Sequence, residues 1–119
     1  MTDRVAVELT HDERAILARG LIEWGGPATA TDEIAHLLGF NSVADLYETG
    51  HAIADALRAG ESLSALDWRR ALFATELVFA SDIVGSGVEW PITTGFTDDE
   101  TIRALRAVQR KLGRIARLP

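Results

Sequence analysis

Residues 41–60 read NSVADLYETGHAIADALRAG, and this stretch decides the fold. Val43, Leu46, Tyr47, Gly50, Ile53, Ala54 and Leu57 recur at the i, i+3, i+4, i+7 spacing of one helix face. Asn41 or Ser42 can accept the free backbone N–H groups of a first turn. Gly60 supplies the left-handed residue that closes a helix ending at about Ala59. The pattern predicts an amphipathic helix buried along one side. Gly50 falls on the buried face, where glycine costs helix stability, so a neighbouring helix is expected to approach closely there.

Working outward, the same grammar recurs. Before this stretch, a short helix is expected over Thr31–Leu38, with Gly39 as its cap. Before that, Thr10 and Glu13 form a capping box, in which each side chain satisfies the other residue's free N–H. The helix they open runs from about His11 to Trp24, with Leu17, Leu21 and Trp24 on one face, and ends at Gly25-Gly26-Pro27.

After Gly60, Ser64 caps a fourth helix with Asp67 three residues on. Its apolar residues, from Leu66 and Trp68 through Leu77 and Phe79 to Ile83 and Val84, cover most of the circumference. Such a helix belongs in the middle of a bundle. A loop is expected from Gly85 to Phe96 (GSGVEWPITTGF). Thr97 and Glu100 form a second capping box and open the last helix, with Ile102, Leu105, Val108, Leu112 and Ile115 as its stripe. No segment alternates convincingly like a strand. The expected architecture is all-α: a compact single-domain bundle of about five helices over residues 1–119, with the apolar fourth helix central.

Composition narrows the function classes. The 119 residues are 47% hydrophobic and 25% charged, an ordinary globular balance. There is no cysteine, which removes disulfides and thiolate metal sites. Charges from Asp3 onward interrupt any signal-like apolar run, and no stretch reaches membrane-span length, so a cytoplasmic protein is expected. The net charge of −6 disfavours nonspecific attraction to nucleic acid or anionic lipid.

Catalytic motifs are missing. Gly85-Ser86-Gly87 lacks the lysine and following hydroxyl of a phosphate loop. Ser81 lacks the glycines of a nucleophile elbow. His11, His36 and His51 show no metal-ligand spacing and read as solvated side chains, so neither metal nor cofactor is expected. A helix-turn-helix could be built from Thr31–Gly39 and the following helix. The positions six and nine after the glycine should then be apolar, yet they hold Asp45 and Glu48. Acids there also have the wrong sign for a groove lined with phosphates.

Three features remain. Glu76 lies on the stripe Leu72, Phe79, Ile83 of the most apolar helix, where a carboxylate needs a partner: an arginine of the last helix, a Trp N–H, or a ligand. Asp82 sits near the C-terminal end of that helix, where the dipole disfavours an anion, so it is expected to bond loop N–H groups or a ligand. The loop carries Trp90, Thr93 and Thr94, which suit either a lid over the core or a binding lip.

Charge is segregated. Residues 1–97 hold 15 acids and 6 bases, and residues 98–119 hold 3 acids and 6 bases. Arg103, Arg106, Arg110, Arg114 and Arg117 recur every three or four residues on the last helix. The helix dipole accounts for acids first and bases last, and a face for an acidic partner accounts for it equally. Together these features lead to the expectation of a non-catalytic protein-binding module, a small regulator or immunity-type inhibitor, whose partner is another protein or a second copy. The alternative is a small-ligand binder or enzyme with a pocket between the fourth helix and the 85–96 loop, built from Glu76, Asp82, Trp90, Thr93 and Thr94.

Overall fold

Each main helix begins at a side-chain cap written in the sequence. The computed structural model describes residues 3–115. In chain order the elements are β1 (Arg4–Val5), α1 (His11–Ile22), α2 (Asp32–Leu37), α3 (Val43–Arg58), β2 (Leu63–Ser64), α4 (Ala65–Ala80), α5 (Trp90–Thr94) and α6 (Asp98–Leu112). Thr10, Thr31, Ser42, Ser64 and Thr97 each accept an N–H of the following turn, and the boxes Thr10–Glu13 and Thr97–Glu100 are both complete. Gly39 and Gly60 take positive φ, at 96° and 75°, and let the chain leave α2 and α3.

Among the described residues the bundle is all-α apart from one short antiparallel pair, β1 with β2, which sets Val5 against Leu63. This pair ties the N-terminal segment down, helped by Trp68, whose Nε1 donates to Val5 O at 2.8 Å. Helix α1 packs on α3, α4 and α6 and shares the centre with α4, whose Trp68, Ala71, Leu72, Ala74, Thr75 and Val78 are buried. The core is one continuous cluster anchored by Trp24, Trp68 and Trp90. Among the described residues no helix is long and apolar enough to cross a membrane.

Several expectations are corrected. Helix α4 stops at Ala80, not Val84. Ser81 turns the chain out of the helix, and its hydroxyl accepts from Ile83 N at 3.2 Å and Val84 N at 3.0 Å. Ile83 therefore lies outside the helix and is 89% exposed. The 85–96 segment is not a plain loop. It holds a 3-10 turn over Gly87–Glu89 and the short helix α5, with Pro91 in its first turn, which brings the α-helices among the described residues to six. Tyr47 sits at the rim of the α3 face, 40% exposed.

The close helix approach lies at Gly20 of α1, not at Gly50. A Cβ on Gly20 would fall 2.0 Å from Thr75 Oγ1 and 2.7 Å from Thr75 Cα, so α1 and α4 touch almost backbone to backbone. A Cβ on Gly50 would meet Leu21 at an ordinary 3.8 Å. Thr75 turns its hydroxyl back to Ala71 O at 2.8 Å, which satisfies it inside the crossing.

Candidate functional site

The residues expected to form one pocket are separated by the fold. Trp90 is fully buried. Its ring meets Phe79 edge to face at 5.7 Å, and its Nε1 donates to Thr101 Oγ1 at 2.8 Å. Thr94 donates to Trp90 O at 2.6 Å. The segment thus packs down through Trp90, while Ile92 stays 83% exposed rather than joining it. Asp82 is exposed in the turn after α4. The N–H groups that open the 85–96 segment go elsewhere: Gly85 N donates to Ser81 O at 3.1 Å and Ser86 N to Val78 O at 2.7 Å.

Thr93 does reach a buried carboxylate, but it is Glu23. Glu23 is almost fully buried at the end of α1. One oxygen accepts from Ser86 Oγ at 2.8 Å and from Thr93 Oγ1 in a short hydrogen bond. The other accepts from Arg19 Nη2 at 3.1 Å, and that same nitrogen donates to Thr93 O at 3.1 Å. Arg19 Nε is buried without an acceptor among the described residues. This cluster latches the 85–96 segment onto α1. Glu23 falls i+7 from Ile16 and i+3 from Gly20, in register with the α1 core face, and that periodicity was its signal in the sequence.

Glu76 is half-buried, not enclosed. Its partner does come from the last helix, but it is an amide: Gln109 Nε2 donates to Glu76 Oε2 at 2.6 Å. Arg106 donates in turn to Gln109 Oε1 at 3.1 Å. On the opposite flank of α6, Lys111 donates to Glu13 at 2.7 Å. Burial pushes the Glu13 carboxyl up, but the Lys111 ammonium and the Thr10 N–H outweigh it and hold the group below its ordinary value. The first capping box thereby doubles as the socket for α6.

Between these two flanks stands the arginine ridge. Arg103, Arg106 and Arg110 are exposed on the side of α6 away from the core, and Arg114 is exposed in the turn that follows it; Arg117 lies outside the described residues. Among the described residues no carboxylate lies within 4.0 Å of any of the four. Three arginines of the body differ. Arg14 donates to Leu57 O and Glu61 O and stacks over Trp68. Arg70 donates to Gly39 O and Asp67 and stacks over Phe40. Arg19 is held in the Glu23 latch.

One acid of α3 also has structural work. Asp45 accepts from Asn41 N at 2.8 Å and Thr49 Oγ1 at 2.6 Å, and the Asn41 N–H holds its carboxyl below the usual value. Of the histidines, all exposed, His36 pairs its Nε2 with Asn41 O at 2.7 Å. Among the described residues no three acids or histidines converge as a metal site. In comparison with known proteins, no family model, no curated protein and no solved structure matches this chain.

Proposed function

We propose that this chain is a non-catalytic protein-binding module, a small regulator or immunity-type inhibitor, and that the α6 arginine ridge is its docking surface for an acidic partner protein. The single observation that carries the reading is the contrast in arginine use. Arg14, Arg19 and Arg70 are committed to carbonyls and carboxylates of the fold, whereas Arg103, Arg106, Arg110 and Arg114 are exposed with no carboxylate partner among the described residues, and Arg106 reaches only the Gln109 amide. A row of cations on a chain of net charge −6 is not needed for solubility and would steer an anionic surface to one face. A nucleic-acid duplex is the less suitable anion, because the acid-rich bulk of the chain repels it. The rival reading, a ligand pocket beside the 85–96 segment, is weakened because Glu23 already receives its donors from Arg19, Ser86 and Thr93.

The test is the double charge reversal Arg106→Glu with Arg110→Glu. Exposed pairs contribute about 0–1 kcal/mol, so the thermal midpoint should hardly move. Capture of the partner from the source cell, identified by mass spectrometry, should fall sharply and be salt-sensitive in the wild type. Unfolding of the double variant, or undiminished capture, would refute the reading.

A further inference from the structure

Helix α4 carries more apolar surface than the bundle covers. Phe73, Leu77 and Phe79 remain half-buried and Ala80 is exposed. Leu37 of α2, 70% exposed, and Ile102 of α6, 47% exposed, extend this surface to either side. Two shallow grooves result. One, toward α2, is lined by Leu37, Leu38, Phe73 and Leu77; the other, toward α6, by Phe79, Ile102, Leu105 and Arg106. They share Glu76 and Ala80, so they form one strip crossing α4, with the arginine ridge along its α6 edge.

We infer that this strip receives an amphipathic helix of a different protein, with its apolar stripe on α4 and an acidic flank along Arg103, Arg106 and Arg110. This rests on the docking role proposed for the ridge and names the occupant. The choice follows from charge. Successive arginines lie three or four residues apart, the spacing at which a helix repeats side chains along one flank. Apolar anchors at i, i+3, i+4 and i+7 are the means by which helices seat in such grooves. A second copy fits poorly. Antiparallel pairing of α6 about a two-fold axis sets the first-turn acids beside the last-turn Arg110 and Lys111, but it brings Arg103 and Arg106 of the two copies together at the centre of the contact. The strip also constrains the guest's stripe. Among the described residues Glu76 accepts through one oxygen, from Gln109, so a covering helix must supply an amide or ammonium donor opposite it.

The experiment is fluorescence anisotropy with a labelled designed helix of about 18 residues, about 27 Å long. It carries leucines at the i, i+3, i+4, i+7 positions, one glutamine within that stripe, and glutamates along one flank. A twin carries lysines on the flank. The acidic helix should bind about tenfold or more tighter than its twin. Leu37→Ser and Ile102→Ser, both at exposed positions, should each weaken binding about tenfold with unchanged circular dichroism, and Arg106→Glu should do the same. If Arg106→Glu weakens binding but the two serine variants do not, the groove is overturned and the ridge stands. If neither charge reversal nor the twin makes any difference, both are overturned. Absence of binding at about 1 mM (about −4 kcal/mol) overturns the inference, as does a dimer in sedimentation that Ile102→Ser abolishes.

Discussion

Gly20→Ala is the change that tests the packing most directly. In an isolated helix this substitution stabilises by about 1 kcal/mol, because alanine loses less backbone entropy on folding. In the bundle the added methyl would sit 2.0 Å from Thr75 Oγ1, 2.5 Å from Thr75 Cβ and 2.7 Å from Thr75 Cα. All three distances are below any real contact, and the last is to backbone, which no rotamer change relieves. Helices α1 and α4 must part, and the hydroxyl bond to Ala71 O must strain. Overpacking of this kind costs about 1–3 kcal/mol or more, and this clash belongs at the upper end. Net of the propensity gain, a loss of about 2 kcal/mol is expected, a drop in midpoint of roughly 8 °C at about 4 °C per kcal/mol. Gly50→Ala is the internal control. Its methyl meets Leu21 at 3.8 Å, so it should stabilise by about 0.5–1 kcal/mol. Urea melts of both variants decide the matter. Thr75→Ala should rescue Gly20→Ala only in part, since the Cβ and Cα remain. A Gly20→Ala variant as stable as wild type, or a Gly50→Ala variant less stable than it, would refute the α1–α4 crossing described above.

Three further outcomes are expected. Glu13 titrates below its ordinary value in the fold, so its contribution is complete above the unfolded carboxylate pKa and is lost as pH falls through the folded value. Glu13→Gln should therefore cost about 1–3 kcal/mol at neutral pH and flatten the acid limb of a stability–pH curve; an unchanged limb would count against the Lys111 socket. Glu23→Ala strands Arg19, Ser86 and Thr93, should cost about 3–5 kcal/mol, and should speed hydrogen exchange of the 86–94 amides before those of α3; uniform exchange would show that the latch does not hold that segment. Thr101→Val removes the acceptor of the Trp90 N–H, and a loss of about 1–3 kcal/mol in thermal melts should accompany it; a wild-type midpoint would mean that the indole finds another partner.

Local chemistry was legible from the sequence because its causes are a few residues apart. Thr10 with Glu13, Thr97 with Glu100, Ser42 before Val43 and Gly60 after Ala59 each fix a helix end through bonds inside one turn. The apolar period then fixes which face is buried. The arginine ridge was legible for the same reason: side chains three and four residues apart share a face whatever the helix packs on. The Ser81 signal is local too, but the apolar run Ile83-Val84 masks a hydroxyl able to bond those two residues' own N–H groups. What only the tertiary structure decided are pairings across the chain. Gly20 meets Thr75, Glu23 collects Ser86 and Thr93, Gln109 finds Glu76, and Lys111 finds Glu13. Periodicity says that a face is buried but not against what, so it could not choose Gly20 over Gly50 as the crossing point, nor tell how much of α4 its neighbours cover. The uncovered strip between Leu37 and Ile102 exists because α2 ends at Leu37, one short turn of cover on a helix that is apolar nearly all round.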